Sequence, residues 1–191
     1  MDSMKKISQK ERKYLLDLAR RSMEYYEKTN EFLEEEDVPE TLKEELATFV
    51  SVYVGKNLRG CIGTLHAINP VYKDVMHNAV AAAFFDDRFP PLTTEEIKKA
   101  KIEISILTKP EKIKFKSTSD LLKKVKPKED GILLEKEERK ATFLPQVWDH
   151  FSKKEDFFDH LCMKAGLEAN EWKKPGIEVS KYNCIVFNSD K

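Results

Sequence analysis

Long apolar runs are missing from this chain. The longest, Ala79-Val80-Ala81-Ala82-Ala83-Phe84-Phe85, has 7 residues, where a transmembrane helix needs about 20. No membrane span is expected. An excess of either charge is missing too: Lys plus Arg is 34 and Asp plus Glu is 34. Proteins that neutralise nucleic-acid phosphates carry a basic excess, so the balance weighs against a nucleic-acid partner, a local basic patch apart. Cysteine is sparse and odd in number: Cys61, Cys162 and Cys184. Their wide spacing is no disulfide framework and offers no Cys-x-x-Cys pair for zinc. Free thiols fit a reducing cytoplasm. Residues 1–6 lead into charged residues rather than an apolar signal core, so no secretory peptide is expected. The histidines, His66, His77, His150 and His160, include no His-Glu-x-x-His pattern. Neither a metal nor another cofactor is expected. Glycine is the last scarcity, with 6 in 191 residues.

What is present suits one domain, or two small lobes sharing a core: 40% hydrophobic residues under a densely charged surface of 36% charged residues. Ser8 with Glu11 forms a capping box for a helix over 8–30, with Leu15, Leu18, Ala19, Ser22 and Tyr26 at helical spacing. Residues 34–45 are acidic and contain Pro39, which reads as a surface connection. Strands over 46–54 and 58–65 flank Gly55-Lys56-Asn57 and form a hairpin. Pro70 opens a helix to Phe85 whose alanines allow a neighbour to pack closely. Thr93 with Glu96 caps a short helix, and 101–107 is a strand. A helix over 118–125 and a hairpin after Asp130-Gly131 follow. A helix over 154–165 ends at Gly166, and a last strand covers 177–187. Hairpins alternating with helices argue for an α+β fold, with a mixed or antiparallel sheet and flanking helices.

Leu58-Arg59-Gly60-Cys61-Ile62-Gly63-Thr64 stands out, because two of the six glycines flank one cysteine. Glycine weakens a strand unless something approaches its backbone or the strand bulges. A nearby Arg favours the reactive thiolate, and alternation would put Arg59 and Cys61 on one face. A cation, a thiol and exposed amides could bind and attack an anionic or electrophilic ligand. The opposing reading is a buried cysteine acting as a small apolar residue. Asp86-Asp87-Arg88-Phe89-Pro90-Pro91 is the second feature: Arg88 is either an anion clamp or part of a helix stop, paired with Asp86. Glu103, an acid inside an apolar strand, either faces solvent or pairs with Arg59 or Arg88 across the sheet.

Taken together these segments resemble the AMME syndrome candidate gene 1 protein family, from about Leu15 to Phe187. Leu-Arg-Gly-Cys-Ile-Gly stands intact at 58–63. The family's Asp-Pro-Arg-Phe-Pro-Pro-Leu element matches 86–92, with Asp87 in place of Pro, which relaxes the loop. Residues 102–108, Asp130-Gly131, Leu144-Pro145-Gln146-Val147 and the Cys162-x-Lys164-Ala165-Gly166-Leu167 segment match as well. The resemblance implies an α+β fold in two sublobes with a cleft near the six-residue motif. Arg59, Gly60, Gly63, Thr64, Asp86, Arg88, Glu103 and Gln146 would bind a small molecule, and Cys61 is the candidate catalytic residue. Many prokaryotic members resemble partners of a Memo-type protein and a radical SAM enzyme, which implies a modification pathway. This chain has neither partner's chemistry, since it offers no Cys-x3-Cys-x2-Cys cluster for iron–sulfur ligation and no metal triad. Two readings follow: a ligand-binding component of that pathway, or an enzyme using Cys61 as nucleophile on an anionic small molecule or protein group.

Overall fold

The computed structural model of the protein describes residues 7–189. The described residues form two compact units, 7–107 with 185–189, and Thr108–Cys184. Each has its own hydrophobic cluster, where the sequence suggested one shared core. Each hairpin-and-helix set is amphipathic enough to bury its own apolar face.

In the first unit, α1 (Gln9–Thr29) begins with the Ser8–Glu11 capping box and ends at left-handed Asn30. Leu15, Leu18, Ala19, Ser22 and Met23 form its buried stripe. Strands β1 (Thr48–Val54) and β2 (Asn57–Gly63) pair in antiparallel fashion. Gly55 turns the hairpin at φ 61, a conformation that costs glycine little. Then come α2 (Val71–Phe84), α3 (Thr94–Lys99) and β3 (Lys101–Leu107). With the late strand β8 (Cys184–Asn188), the sheet order is β2-β1-β3-β8. Strand alternation sends Val50, Val52, Ile102, Ile104 and Ile106 into the cluster shared with α1 and α2. The odd-numbered side chains from Ser51 to Tyr53 and from Glu103 to Ser105 therefore take the other face.

The second unit holds β4 (Glu111–Lys112), α4 (Thr118–Lys124), β5 (Gly131–Lys136), β6 (Arg139–Phe143), α5 (Lys154–Lys164) and β7 (Glu178–Tyr182). Its sheet order is β4-β7-β5-β6. Trp148 stacks on Phe157 in the core, and its indole N–H reaches the Asp130 carbonyl at 2.7 Å. Gly166, at φ 72, ends α5 in a Schellman arrangement: Leu167 N–H donates to the Cys162 carbonyl and Gly166 N–H to that of Met163.

The last strand differs from its sequence reading. Residues 177–187 are not one strand but parts of β7 and β8, which belong to different sheets. Asn183 makes the break. Its N–H donates to the Thr108 hydroxyl at 2.9 Å and its side-chain amide to the Glu129 carbonyl at 2.8 Å. Apolar residues on both sides of Asn183 hide the change of sheet in the sequence. Strand β4 and the 3-10 turns Pro145–His150 and Glu171–Lys173 have no apolar period to mark them in the sequence. Among the described residues, no helix is long and apolar enough to cross a membrane.

Candidate functional site

The segment around Cys61 is the outer strand of the first sheet, pressed against α2. A register shift sets its geometry. Val52 pairs with Gly60 but Tyr53 pairs with Leu58, so Arg59 is an extra, bulged residue. The bulge breaks the alternation that would have aligned Arg59 with Cys61. Arg59 instead forms an ion pair with Glu96 and donates to the Pro90 carbonyl at 3.2 Å. Glu96 also caps α3 by accepting the Thr93 N–H at 3.0 Å. These Thr93 bonds, with the Arg59 guanidinium, hold its carboxyl below the ordinary carboxylate value.

The glycines are explained by close packing. A Cβ on Gly60 would lie 1.8 Å from the Ala82 carbonyl oxygen of α2. The alanine run of α2 does admit a close neighbour, and that neighbour is β2. A Cβ on Gly63 would lie 2.2 Å from the Phe49 ring. At Gly60 the space expected for a ligand is thus filled by helix backbone, and the residue is buried.

Both ends of α2 fasten the hairpin through carboxylates. Near its start, one oxygen of buried Asp74 accepts from the Thr48 N–H (2.8 Å), the Thr48 hydroxyl (2.7 Å), the Thr64 hydroxyl (2.7 Å) and the Asn78 amide (3.0 Å). Thr64 therefore serves this network. Beyond the other end, Asp86 accepts the Cys61 N–H at 2.9 Å. Arg88 donates to Asp86 through Nε at 2.8 Å and Nη2 at 2.6 Å, and to the Cys61 carbonyl at 3.2 Å. The Arg88 guanidinium pulls the Asp86 carboxyl down to about 2. Arg88 thus takes the paired role weighed in the sequence, lying also over the Phe89 ring at 5.3 Å. Each arginine expected to hold an anion has a carboxylate partner.

The face of the sheet turned away from α2 carries a polar row beside the Phe49 ring that covers Gly63. Cys61 is paired with Ser51 on β1, and Ser51 with Glu103 on β3, so the three form one row across three strands. The Ser51 hydroxyl donates to the Cys61 sulfur at 3.2 Å. Tyr53 lies two residues along β1 on the same face. Glu103 and Tyr53 are half-buried. Desolvation pushes both acids up from their ordinary values, with the charges of Glu103 and Cys61 adding to the effect on Tyr53. Glu103 neither simply faces solvent nor pairs with Arg59, whose partner is Glu96, or Arg88, whose partner is Asp86. A thiol, two hydroxyls and a carboxyl with displaced acidity on one sheet face are a set suited to hydrogen bonding and proton transfer. Gln146 belongs to the second unit, exposed on the turn Pro145–His150.

Ser51, Tyr53, Asp74 and Glu96 were missed by sequence reasoning. Asp74 and Asn78 left a usable signal: two polar residues four apart on an otherwise apolar helix face. Ser51 and Tyr53 left only their alternation with Val50 and Val52. Glu96 was read as a cap alone.

The wider comparisons agree with this architecture. The sequence profile of AMMECR1 matches residues 16–187. A protein of Thermofilum pendens is 34% identical, with 96% of this chain and 92% of that protein covered. Protein MJ0810 of Methanocaldococcus jannaschii is 36% identical, over 80% of this chain and 77% of its own length. The crystal structure of uncharacterized protein PH0010 from Pyrococcus horikoshii superposes with a TM-score of 0.86 at 33% identity, covering 93% of this chain and 90% of that one. The Leu-Arg-Gly-Cys-Ile-Gly strand and the Asp86–Arg88 loop that holds it are thus parts of a chain that belongs to the AMMECR1 family.

Proposed function

We propose that the protein is a ligand-binding component of a modification pathway, working with Memo-type and radical SAM partners. Its ligand meets the polar face of the first sheet at Cys61, Ser51, Tyr53 and Glu103. The carrying observation is the Cys61–Ser51–Glu103 row, where three hydrogen-bonding side chains lie side by side on adjacent strands. The carboxylate partners of Arg59 and Arg88 argue against an anion as the recognised group. Hydroxyls and a carboxyl of raised pKa suit a polar, uncharged group that both donates and accepts hydrogen bonds. Native mass spectrometry of the protein isolated from its host tests this. Wild type should carry a small molecule that Cys61→Ala and Glu103→Gln lose while remaining folded. A bound mass retained equally by both variants would place the ligand elsewhere.

The Ser51–Cys61 hydrogen bond favours a second reading, catalysis by the thiol, because it fixes the sulfur on the polar row beside a hydroxyl. With both partners and their substrates present, that reading requires a covalent adduct on Cys61 in the intact-mass spectrum. Its absence at every time point, with turnover proceeding, rejects the nucleophile.

A further inference from the structure

The first unit carries an aromatic patch on the side of α1 and α2 away from the Cys61 row's sheet face. Phe32 is 50% exposed and Phe85 58% exposed. Tyr26 joins them, with ring centroids 5.4 Å from Phe32 and 5.7 Å from Phe85. Phe32 also meets the His77 ring edge-on at 5.1 Å. Beside Phe32 is a cavity of about 380 Å³, walled by Glu34, Glu35 and Glu36 on one side and by Tyr72, Met76 and His77 of α2 on another. Contiguous exposed rings are uncommon on a surface that works alone.

Charge selects the occupant. Residues 24–40 hold eight acids and one base, in a chain whose formal net charge is zero. Glu35 is committed to Arg21 at 2.7 Å, while Glu34 and Glu36 are exposed. The cavity's own cation is Lys73, whose ammonium lies 5.9 Å from the Tyr72 ring centroid. Rings beside carboxylates in a concave setting match a Lys or Arg side chain, by cation–π attraction and by charge. A second copy fits poorly, since a two-fold contact through this patch would bring the two acidic segments together. An anionic membrane surface is repelled for the same reason.

We propose that the surface formed by Phe32, Phe85 and Glu34–Glu36 docks a basic segment of a partner protein. One Lys or Arg of that segment enters the cavity, and its apolar neighbours lie on the rings. This surface is distinct from the Cys61 row, so the two proposals stand or fall separately.

The test uses the full chain and a short fluorescent peptide of alternating Lys and Leu, with a Glu-for-Lys counterpart, read by anisotropy at about 0.15 M salt. The basic peptide should bind wild type. Phe32→Ala with Phe85→Ala should weaken binding at least about tenfold, the scale of a hot-spot ring. Glu34→Gln with Glu36→Gln should weaken it and flatten its salt dependence, and the acidic peptide should not bind. Amide shifts should map to Phe32 and His77. No binding by wild type overturns the proposal, as does unchanged binding by the variants or equal binding of the acidic peptide. Sedimentation showing a dimer that Phe32→Ala dissociates would assign the patch to a second copy and overturn it too. Should the double Phe variant fail to fold, the Glu34/Glu36 pair and the shift map decide alone.

Discussion

The carboxylate of Asp86 accepts the backbone N–H of Cys61 at 2.9 Å, so a side chain closes the edge of β2 at that residue. An outer strand otherwise offers its polar backbone to any passing chain. Here Arg88 completes the closure by donating to the Cys61 carbonyl. Asp86 and Arg88 together replace a neighbouring strand at one position, and hold Cys61 while its side chain faces Ser51. Asp74 performs the matching task at the start of α2, through Thr48 and Thr64. The helix is thereby fastened to the hairpin at both ends.

The Asp86 contact predicts a pH dependence. Its folded pKa lies at about 2 against an ordinary 3.8, equivalent to about 2.4 kcal/mol. The Arg88 side chain is 55% exposed, and solvent screening reduces the figure to about 1–2 kcal/mol. The folded pKa is depressed, so this stabilisation is present above the unfolded value and lost as pH falls through the folded one. Asp86→Asn should be less stable than wild type by about that amount at pH 7. The difference should close between about pH 4 and 2. Urea titrations across pH measure it; a difference as large at pH 2 as at pH 7 would rule out the ion pair as its source.

A second prediction separates two kinds of glycine. Gly60→Ala drives a methyl into the Ala82 carbonyl of α2, where backbone must move. It should cost about 1–3 kcal/mol or more, the range for overpacking. Gly166→Ala meets open space and pays only for a left-handed backbone at φ 72, about 1 kcal/mol. Urea midpoints for the two variants should differ in that order. Equal losses would mean that contact with α2 is not why position 60 is glycine.

The capping boxes at Ser8 and Thr93, the β1–β2 hairpin and the Gly166 stop were legible, because each is a local pattern with a local cause. Scarce glycine and the Arg88-Phe89-Pro90-Pro91 loop marked Cys61, Asp86 and Arg88 in the residues themselves, and the family resemblance pointed to them as well. What it could not supply was which partner each residue takes. Arg59 was assigned to Cys61 by strand alternation, and one bulged residue sends it to Glu96 instead. The Cys61–Ser51–Glu103 row depends on the registers of three strands, separated in sequence by 10 and 52 positions. No window along the chain contains it. The split at Asn183 was hidden for a related reason: each flanking strand is apolar toward a different cluster.

Glu103 carries a third prediction, opposite in sign to that for Asp86. Burial raises its folded pKa, with Lys101 opposing the shift. The folded state therefore favours the protonated acid, and stability falls as pH rises through the unfolded value and on through the folded one. Glu103→Gln, always neutral, should match wild type below about pH 4 and exceed it in thermal stability near neutrality. A Gln variant that melts below wild type at neutral pH would show that the carboxylate makes a charge-dependent contact within the fold, and the desolvation account would fail.

The last prediction concerns the three thiols. Cys162 is fully buried, and burial pushes its pKa up, so it should resist alkylation until the protein unfolds. Cys61 and Cys184 are half-buried and should react in the native state. Partial exposure leaves Cys184 without the protection that full burial gives Cys162. Around Cys61 two causes of reactivity can be told apart. The Ser51 hydroxyl donates to its sulfur, while the Arg59 guanidinium is engaged with Glu96. Ser51→Ala should therefore slow alkylation of Cys61 near neutral pH and leave Cys184 unchanged. Arg59→Gln should lower global stability, through the lost tie to α3, without a selective effect on Cys61. Peptide-resolved mass spectrometry after timed alkylation reads all three sites at once. The reverse pattern, with Arg59→Gln slowing Cys61 alone and Ser51→Ala silent, would return control of the thiol to the arginine and overturn the role given to the sheet's polar row.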